Sequence, residues 1–168
     1  GRDDATNVIP APLVAVLTPI ALDHTAMLGS TVEEIAANKC GIMKPPCAVV
    51  CAPGQGPEAL GVILERAAQL GLTVYIPNPA SAPVREAVPG HTSFVQGGRL
   101  YTVPLTGVFQ RDNALTAIET VNCLRRLGFP ITGEAVQQGL AGAVLPCRQE
   151  VLRRQPLVMM DGAHNPHG

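Results

Sequence analysis

The chain has 168 residues, of which 46% are hydrophobic and 15% are charged, a composition typical of a folded globular protein and not of a disordered segment. Its formal net charge is -1 and it contains no tryptophan. Neither a basic surface for nucleic acid or anionic membranes nor an aromatic base-stacking surface is therefore indicated. Chemistry on small molecules is favoured over the binding of polymers.

The sequence also predicts neither a secreted nor a membrane-bound protein. No apolar signal region is present, and the longest uncharged apolar run, residues 8–22, is interrupted by prolines and too short for a bilayer. The five cysteines are odd in number and form no CxxC pair, which favours reduced, buried thiols over a disulfide framework or a zinc site. We therefore expect a reducing, cytoplasmic compartment.

The first half of the chain is predicted to be an α/β unit. Continuous apolar residues over 13–20 and 48–51 are typical of strands buried on both faces of a parallel sheet, and a third strand is expected over 72–76. Overlapping capping-box patterns begin one helix near Ser30, and residues 58–70 form another. This alternation of strands and helices predicts βαβ units.

The second half is predicted to add a β-hairpin and two helices. Residues 78–90 are rich in Pro and Ala and are expected to form a surface connection. The runs 92–95 and 100–105 flank a Gly-Gly turn and predict the hairpin. The remaining expected elements are two helices and one buried strand, over residues 110–128, 132–143 and 157–160.

Residues 22–44, LDHTAMLGSTVEEIAANKCGIMK, carry the first candidate site, at the junction of a strand and a helix. His24 follows the predicted strand, and Lys39 lies in the last turn of the helix. A neutral imidazole can bind a metal or shuttle a proton. A lysine offers magnesium a hard oxygen only after its amine has taken up carbon dioxide to form a carbamate. The plainer interpretations are a hydrogen-bonded structural histidine and a lysine that complements the helix dipole.

This segment closely resembles the signature of the folylpolyglutamate synthase and dihydrofolate synthase family, of the Mur ligase superfamily. The resemblance implies that His24 binds magnesium and that a carbamylated Lys39 serves the metal and phosphate site, so both are candidate catalytic and metal-site residues. The family usually has glutamate immediately before this lysine, where the chain has Asn38.

Residues 1–7, GRDDATN, resemble a second motif of the family, usually written GGRLDATN, with Asp3 in place of the leucine. The resemblance implies contacts with the pterin of the substrate at Asp4 and Ala5. Without it, the same residues are typical of a polar loop with Asx-turn chemistry.

Residues 110–114, QRDNA, begin the first long helix of the second half. They match the family's QxxNA pattern, which implies that Asn113 contacts ATP. From the residue types alone, Asp112 is expected to cap the helix and Asn113 to help start it.

Residues 145–148, LPCR, resemble the family's LPGR segment, which implies that Arg148 meets an ATP phosphate. A permanent cation with forked donors suits that role. Cys147 replaces the usual glycine, and a side chain there would be unfavourable if the backbone were left-handed.

Residues 161–166, DGAHNP, follow the last predicted strand and match a family motif. The match implies that Asp161 contacts the nucleotide ribose, since carboxylates accept hydrogen bonds from vicinal hydroxyls, and that His164 lines the same ATP cleft. Cell-wall Mur ligases generally carry DYAHNP at this place, so the string favours the folate branch.

Together these features predict an α/β fold: a mostly parallel sheet with flanking helices, a β-hairpin, and the first strand of a C-terminal Rossmann-like domain. Residues 1–146 are expected to be the C-terminal part of an ATP-binding central domain, and 147–168 the linker and the start of the next domain. No GxxxxGK[ST] phosphate loop is present, and the glycines around Gln55 are interpreted as a plain turn. We therefore expect a segment of a longer ligase that is inactive alone.

The function that the resemblance implies is ATP-dependent addition of L-glutamate to dihydropteroate or folates through an acyl phosphate. Its cofactors would be ATP and Mg2+, with carbamylation of Lys39, and its partners small molecules, with no nucleic acid or membrane and a monomeric full-length enzyme. Two alternatives stay open: a Mur-type peptide ligase, and a non-catalytic nucleotide-binding α/β module. The sequence does not distinguish a dihydrofolate synthase from a folylpolyglutamate synthase.

Overall fold

A computed structural model describes residues 5–22 and 29–163. Within these ranges the helices are α1 (Val32–Lys39), α2 (Pro57–Gln69), α3 (Phe109–Arg126) and α4 (Gly133–Ala141). The strands are β1 (Val14–Leu17), β2 (Ala48–Cys51), β3 (Val74–Tyr75), β4 (Val84–Val88), β5 (His91–Gln96), β6 (Arg99–Val103), β7 (Glu150–Arg154) and β8 (Leu157–Met160).

The first three strands form the predicted parallel sheet, in the order β1-β2-β3. β2 has the predicted bounds, whereas β1 ends at Leu17, three residues before the predicted end. Pro19 has no N–H to continue the ladder. The neighbouring backbone groups of Thr18 and Ile20 instead bond the side chain of Gln55, at 2.8 and 3.0 Å.

Helices α1 and α2 cover this sheet, and Ile35, Val49 and Ile63 are fully buried between the layers. The predicted capping box of α1 is confirmed. The Thr31 hydroxyl accepts from the Glu34 N–H at 3.2 Å, and the Glu34 carboxylate accepts from the Ser30 N–H at 2.7 Å. These bonds lower the pKa of Glu34, chiefly through the Ser30 backbone. The cap sets where α1 begins, and α1 ends on Lys39.

A second, antiparallel sheet has the order β4-β5-β6. The predicted hairpin is confirmed, but the expected surface connection over 78–90 is wrong in part because it contains β4. Phe94 is fully buried and stacks on Tyr101 with ring centroids 5.5 Å apart. The core of this sheet is closed by α3 and α4, and α3 also contacts β1 and β2. Helix α3 thus joins the two halves of the described chain.

The predicted cap of α3 is wrong. The helix begins at Phe109, so Asp112 lies inside its first turn, and the N-cap position is Val108 without a side-chain bond. A turn at Gly107, whose φ is 106°, starts the helix early, and its carbonyl accepts from the Gln110 N–H at 3.0 Å. Asp112 pairs instead with Arg111 at 2.8 Å.

Strands β7 and β8 form a separate antiparallel hairpin. The sequence predicted β8 at its observed bounds but as a buried strand, and that part is wrong, because its apolar side chains are exposed among the described residues. β7 was not predicted, since EVLRR shows neither an apolar run nor a strict alternation. No helix in the described ranges has both the length and the apolar character to cross a membrane.

The expectation of unpaired, buried thiols holds for four of the five cysteines, and Cys147 is exposed. Burial raises the pKa of the Cys40 thiol to about 11, which keeps it protonated and unreactive.

Candidate functional site

A cavity of about 550 Å³ lies where the carboxyl ends of β1 and β2 meet the first turn of α3 and the segment around residue 148. It is lined by Thr18 after β1 and by Pro53 and Gly54 after β2. Ligands of open α/β sheets bind at this edge, because the loops there are exposed while the strands beneath them are fixed.

Three predicted ATP-contacting residues line this one cavity: Asn113, Arg148 and Asp161. They come from segments separated by up to 48 positions (161 − 113) in the chain. The structure therefore brings them together, while their contact with a nucleotide stays a prediction.

Asn113 is held at the cavity wall by α3. Its side-chain amide donates to the Gln110 side-chain oxygen at 3.0 Å, and Gln110 is itself only 4% exposed. The bond ties the amide of Asn113 to a buried neighbour one turn earlier, so that its position is set by the helix and not by solvent.

Arg148 stands between two residues with left-handed backbones, Cys147 at φ 59° and Gln149 at φ 48°. Hydrogen bonds brace both of them. The Cys147 N–H donates to Glu150 at 2.9 Å, and its carbonyl accepts from the Gly162 N–H at 2.7 Å. Among the described residues no carboxylate pairs with Arg148, whose side chain is exposed. An unpaired guanidinium on a fixed backbone suits an anionic ligand such as phosphate.

Asp161 has a bracing role that the sequence did not reveal. One carboxylate oxygen accepts from the Gln149 N–H at 2.9 Å, and the other accepts from the Ala163 N–H at 2.7 Å. Each oxygen retains acceptor capacity, because an ionised carboxylate offers about four lone-pair sites. A ribose contact is thus compatible with the bracing, and it stays a prediction.

The backbone of Cys147 is left-handed, a conformation in which a side chain is unfavourable and the glycine usual in the family is not. We expect Cys147→Gly to stabilise the protein by about 1 kcal/mol, because glycine adopts a positive φ without a steric penalty. Cys147→Ser retains Cβ and is the matched control, with little change expected. Urea unfolding of both variants measures the difference, and a glycine variant less stable than the serine variant would contradict the prediction.

Lys39 ends α1 half-buried beside the carboxyl end of β1. With Thr18 and Ile42 it lines a cavity of about 120 Å³. Thr18 belongs to the walls of both this cavity and the cavity of about 550 Å³, so the two are adjacent.

A third cavity, of about 190 Å³, adjoins the cavity that Lys39 lines. Its walls include Asn7 and Ile9, and it shares Val16 and Ile42 with the Lys39 cavity. Three adjacent cavities thus lead from the segment at Asn7, past Lys39, to the wall that carries Arg148.

Gln55 was missed, since its segment was interpreted as a plain turn. Its amide donates to the Thr18 carbonyl and accepts from the Ile20 N–H, which closes the β1 end much as an additional strand would. Gln55 thereby fixes the backbone of Thr18, which lines two of the cavities. A glutamine in a glycine turn beside a strand end is a weak signal, and only the fold shows its partners.

Several predicted site residues lie outside the described residues: Asp4, His24 and His164. Ala5 begins a 3-10 turn, Ala5–Val8, of which the backbone alone is described at that position. The predicted meeting of His24 and Lys39 is therefore untested. Within residues 5–22 and 29–163, no three His, Cys, Asp or Glu side chains cluster to hold a metal ion.

A scan against protein-family models finds no match. Among curated proteins, the folylpolyglutamate synthase of Lacticaseibacillus casei is 37% identical over 175 residues, with 100% of this chain and 40% of the relative covered. The dihydrofolate synthase/folylpolyglutamate synthase of Mycobacterium tuberculosis is 37% identical over 181 residues, with 100% and 37% covered. The chain spans about two fifths of the length of the curated relatives it matches.

Solved structures agree. The structure described as "FPGS-AMPPCP-folate complex" superposes with a TM-score of 0.85 at 34% identity, over 99% of this chain and 42% of that one. The M. tuberculosis folylpolyglutamate synthase complexed with ADP and AMPPCP gives a TM-score of 0.80 at 34% identity, over 99% and 39%. Sequence and fold therefore agree along the whole chain, and it belongs to the folylpolyglutamate synthase and dihydrofolate synthase family.

Proposed function

We propose that this chain is part of an ATP-dependent ligase that joins L-glutamate to dihydropteroate or a folate. The observation that carries the proposal is the row of three adjacent cavities with Lys39 in the middle. A ligase of this kind must bring an acceptor carboxyl and a nucleotide phosphate together, and the cavity lined by Lys39 adjoins both the cavity at Asn7 and the cavity lined by Arg148.

The nucleotide would occupy the cavity of about 550 Å³, a size within the usual range for small-molecule sites. Arg148 would contact a phosphate, Asn113 and Asp161 the rest of the nucleotide, and His164 the same cleft. Solved relatives described with AMPPCP and ADP support this assignment.

The acceptor would approach from the side of Asn7, with its pterin against Asp4 and Ala5. The relative described as a complex with folate supports this class of substrate. The segment that follows these two residues lines the cavity of about 190 Å³, so the acceptor would extend from there toward Lys39.

Lys39 could be a ligand of magnesium only as a carbamate. As an ammonium, Lys39 has donors alone, whereas its carbamate would present the hard oxygens that magnesium prefers. A carbamylated Lys39 together with His24 would hold the ion. When bound, magnesium neutralises the charge on the phosphoryl group that is transferred.

The chain's own residues would then act mainly through charge. Phosphoryl transfer from ATP to the acceptor carboxyl gives an acyl phosphate and ADP, and attack by the amino group of glutamate gives the amide and phosphate. Arg148 would stabilise the negative charge that the transferred oxygens carry in the transition state.

The proposal extends to the domain division and to the setting of the protein. We infer that residues up to 146 belong to the ATP-binding domain and that 147 begins the linker to the next. A monomer in the cytoplasm, which acts on small molecules and binds no nucleic acid, is the expected form. The buried, unpaired thiols support a reducing compartment.

The test is ADP release by the complete reading frame that encodes these residues. We expect release to require both L-glutamate and a pterin acceptor. Turnover with dihydropteroate identifies a dihydrofolate synthase, turnover with tetrahydrofolate a folylpolyglutamate synthase, and turnover with both a bifunctional enzyme. Turnover only with UDP-muramyl acceptors, or ATP binding without turnover, would refute the proposal. The 168 residues alone are expected to be inactive.

A further inference from the structure

Lys44 makes two hydrogen bonds to a distant part of the chain. Its ammonium donates to the carbonyl of Asn7 at 2.7 Å and to the carbonyl of Ile9 at 2.8 Å. These acceptors are 37 and 35 positions earlier, and the side chain of Lys44 is half-buried. Two short bonds from one ammonium to neighbouring carbonyls form a specific clasp and not a solvated surface charge.

The clasped carbonyls lie at the end of the 3-10 turn Ala5–Val8. Carbonyls at the end of a helical turn lack partners within the turn and carry partial negative charge, so a cation satisfies them in both respects. Lysine suits this place because its ammonium has three donors on a flexible stem.

A second bond joins the same two segments. The side-chain amide of Asn7 donates to the carbonyl of Gly41 at 3.4 Å. Gly41 and Lys44 follow Lys39 directly, in a 3-10 turn, Cys40–Ile42, and the residues after it. The clasp therefore connects the segment from Ala5 to the short stretch that carries Lys39.

We propose that Lys44 is a positioning residue, whose ammonium holds residues 5–9 against the stretch 39–44 and so places the acceptor-binding loop relative to Lys39. This inference rests on the proposed function, in which that loop binds the pterin end of the acceptor. Ile42 lines both the cavity that contains Lys39 and the cavity of about 190 Å³ at Asn7. A shift of residues 5–9 would therefore change the length of the path between the pterin end of the acceptor and Lys39.

The kinetic test uses Lys44→Met, which keeps the length of the side chain and removes its donors. In the complete reading frame we expect KM for the acceptor to rise about ten-fold or more, in keeping with the loss of charged hydrogen bonds. KM for ATP should stay unchanged, since Lys44 does not line the cavity of about 550 Å³ in which the nucleotide would bind. Lys44→Arg should retain most of the acceptor affinity. The matched control is Arg85→Met, which removes an exposed cation from β4.

A second measurement tests the clasp without activity. Hydrogen exchange of the amides of residues 5–9 should be about ten-fold faster in Lys44→Met, and exchange in β5 should not change. Unchanged exchange at 5–9, or an equal rise of both KM values, would overturn the inference. If the unaltered protein turns over no folate acceptor, the proposed function fails, and the exchange result still decides whether Lys44 holds this segment.

Discussion

Replacement of Lys39 by alanine in the complete reading frame is expected to lower kcat for ADP release about 10³-fold, with little effect on folding. This is the size of the loss in kcat expected when a group that stabilises charge in the transition state is removed. Lys39 lines the cavity of about 120 Å³, which adjoins the cavity at Asn7 through Ile42 and the cavity lined by Arg148 through Thr18. Its side chain makes no ion pair among the described residues, and its contribution to stability should be small.

Lys39→Arg separates the carbamate hypothesis from a simple role of positive charge. A guanidinium keeps the charge but cannot take up carbon dioxide, so we expect the arginine variant to be as inactive as the alanine variant. Acetate should partly restore Lys39→Ala, because a small carboxylate can occupy the place of the carbamate. Substantial activity of Lys39→Arg, measured by ADP release, would contradict carbamylation.

Replacement of Arg148 by glutamine is expected to lower kcat/KM for ATP about 10²- to 10³-fold. The guanidinium has no carboxylate partner among the described residues, and the hydrogen bonds at Cys147 and Gln149 hold its backbone at the wall of the cavity of about 550 Å³. Arg148→Lys should lie between, since an ammonium keeps the charge and loses the forked geometry.

The control for Arg148 is Arg153→Gln, which removes an exposed cation from the nearby strand β7 and should leave the kinetics unchanged. Equal losses in the two variants would show that general positive charge, and not the placement of Arg148, attracts ATP. The initial rate of ADP release at varied ATP concentration gives the comparison directly.

The elements that the sequence predicted best are those whose signal is local. Strand β2 has its predicted bounds because a run of buried apolar residues is sufficient to mark it. The start of α1 is also as predicted, since the capping box bonds the Glu34 N–H in the first turn and the Ser30 N–H just before the cap. Short-range patterns of this kind need no knowledge of the rest of the fold.

The misses have a different physical cause. The strand β4 has mostly exposed side chains, and its backbone is ordered by pairing with β5, a partner that its own sequence does not specify. The expected cap at Asp112 was overridden by the turn at Gly107, which places the N-cap at Val108, four residues earlier.

By itself the sequence determined the α/β pattern, the family and the identity of the candidate ATP residues, because strings of residue types carry all three. Only the tertiary structure decided that Asn113, Arg148 and Asp161 share one cavity and that Lys44 reaches back to Asn7. These contacts join positions far apart in the chain. They depend on how the sheet and α3 are packed, and no local pattern of residues encodes that packing.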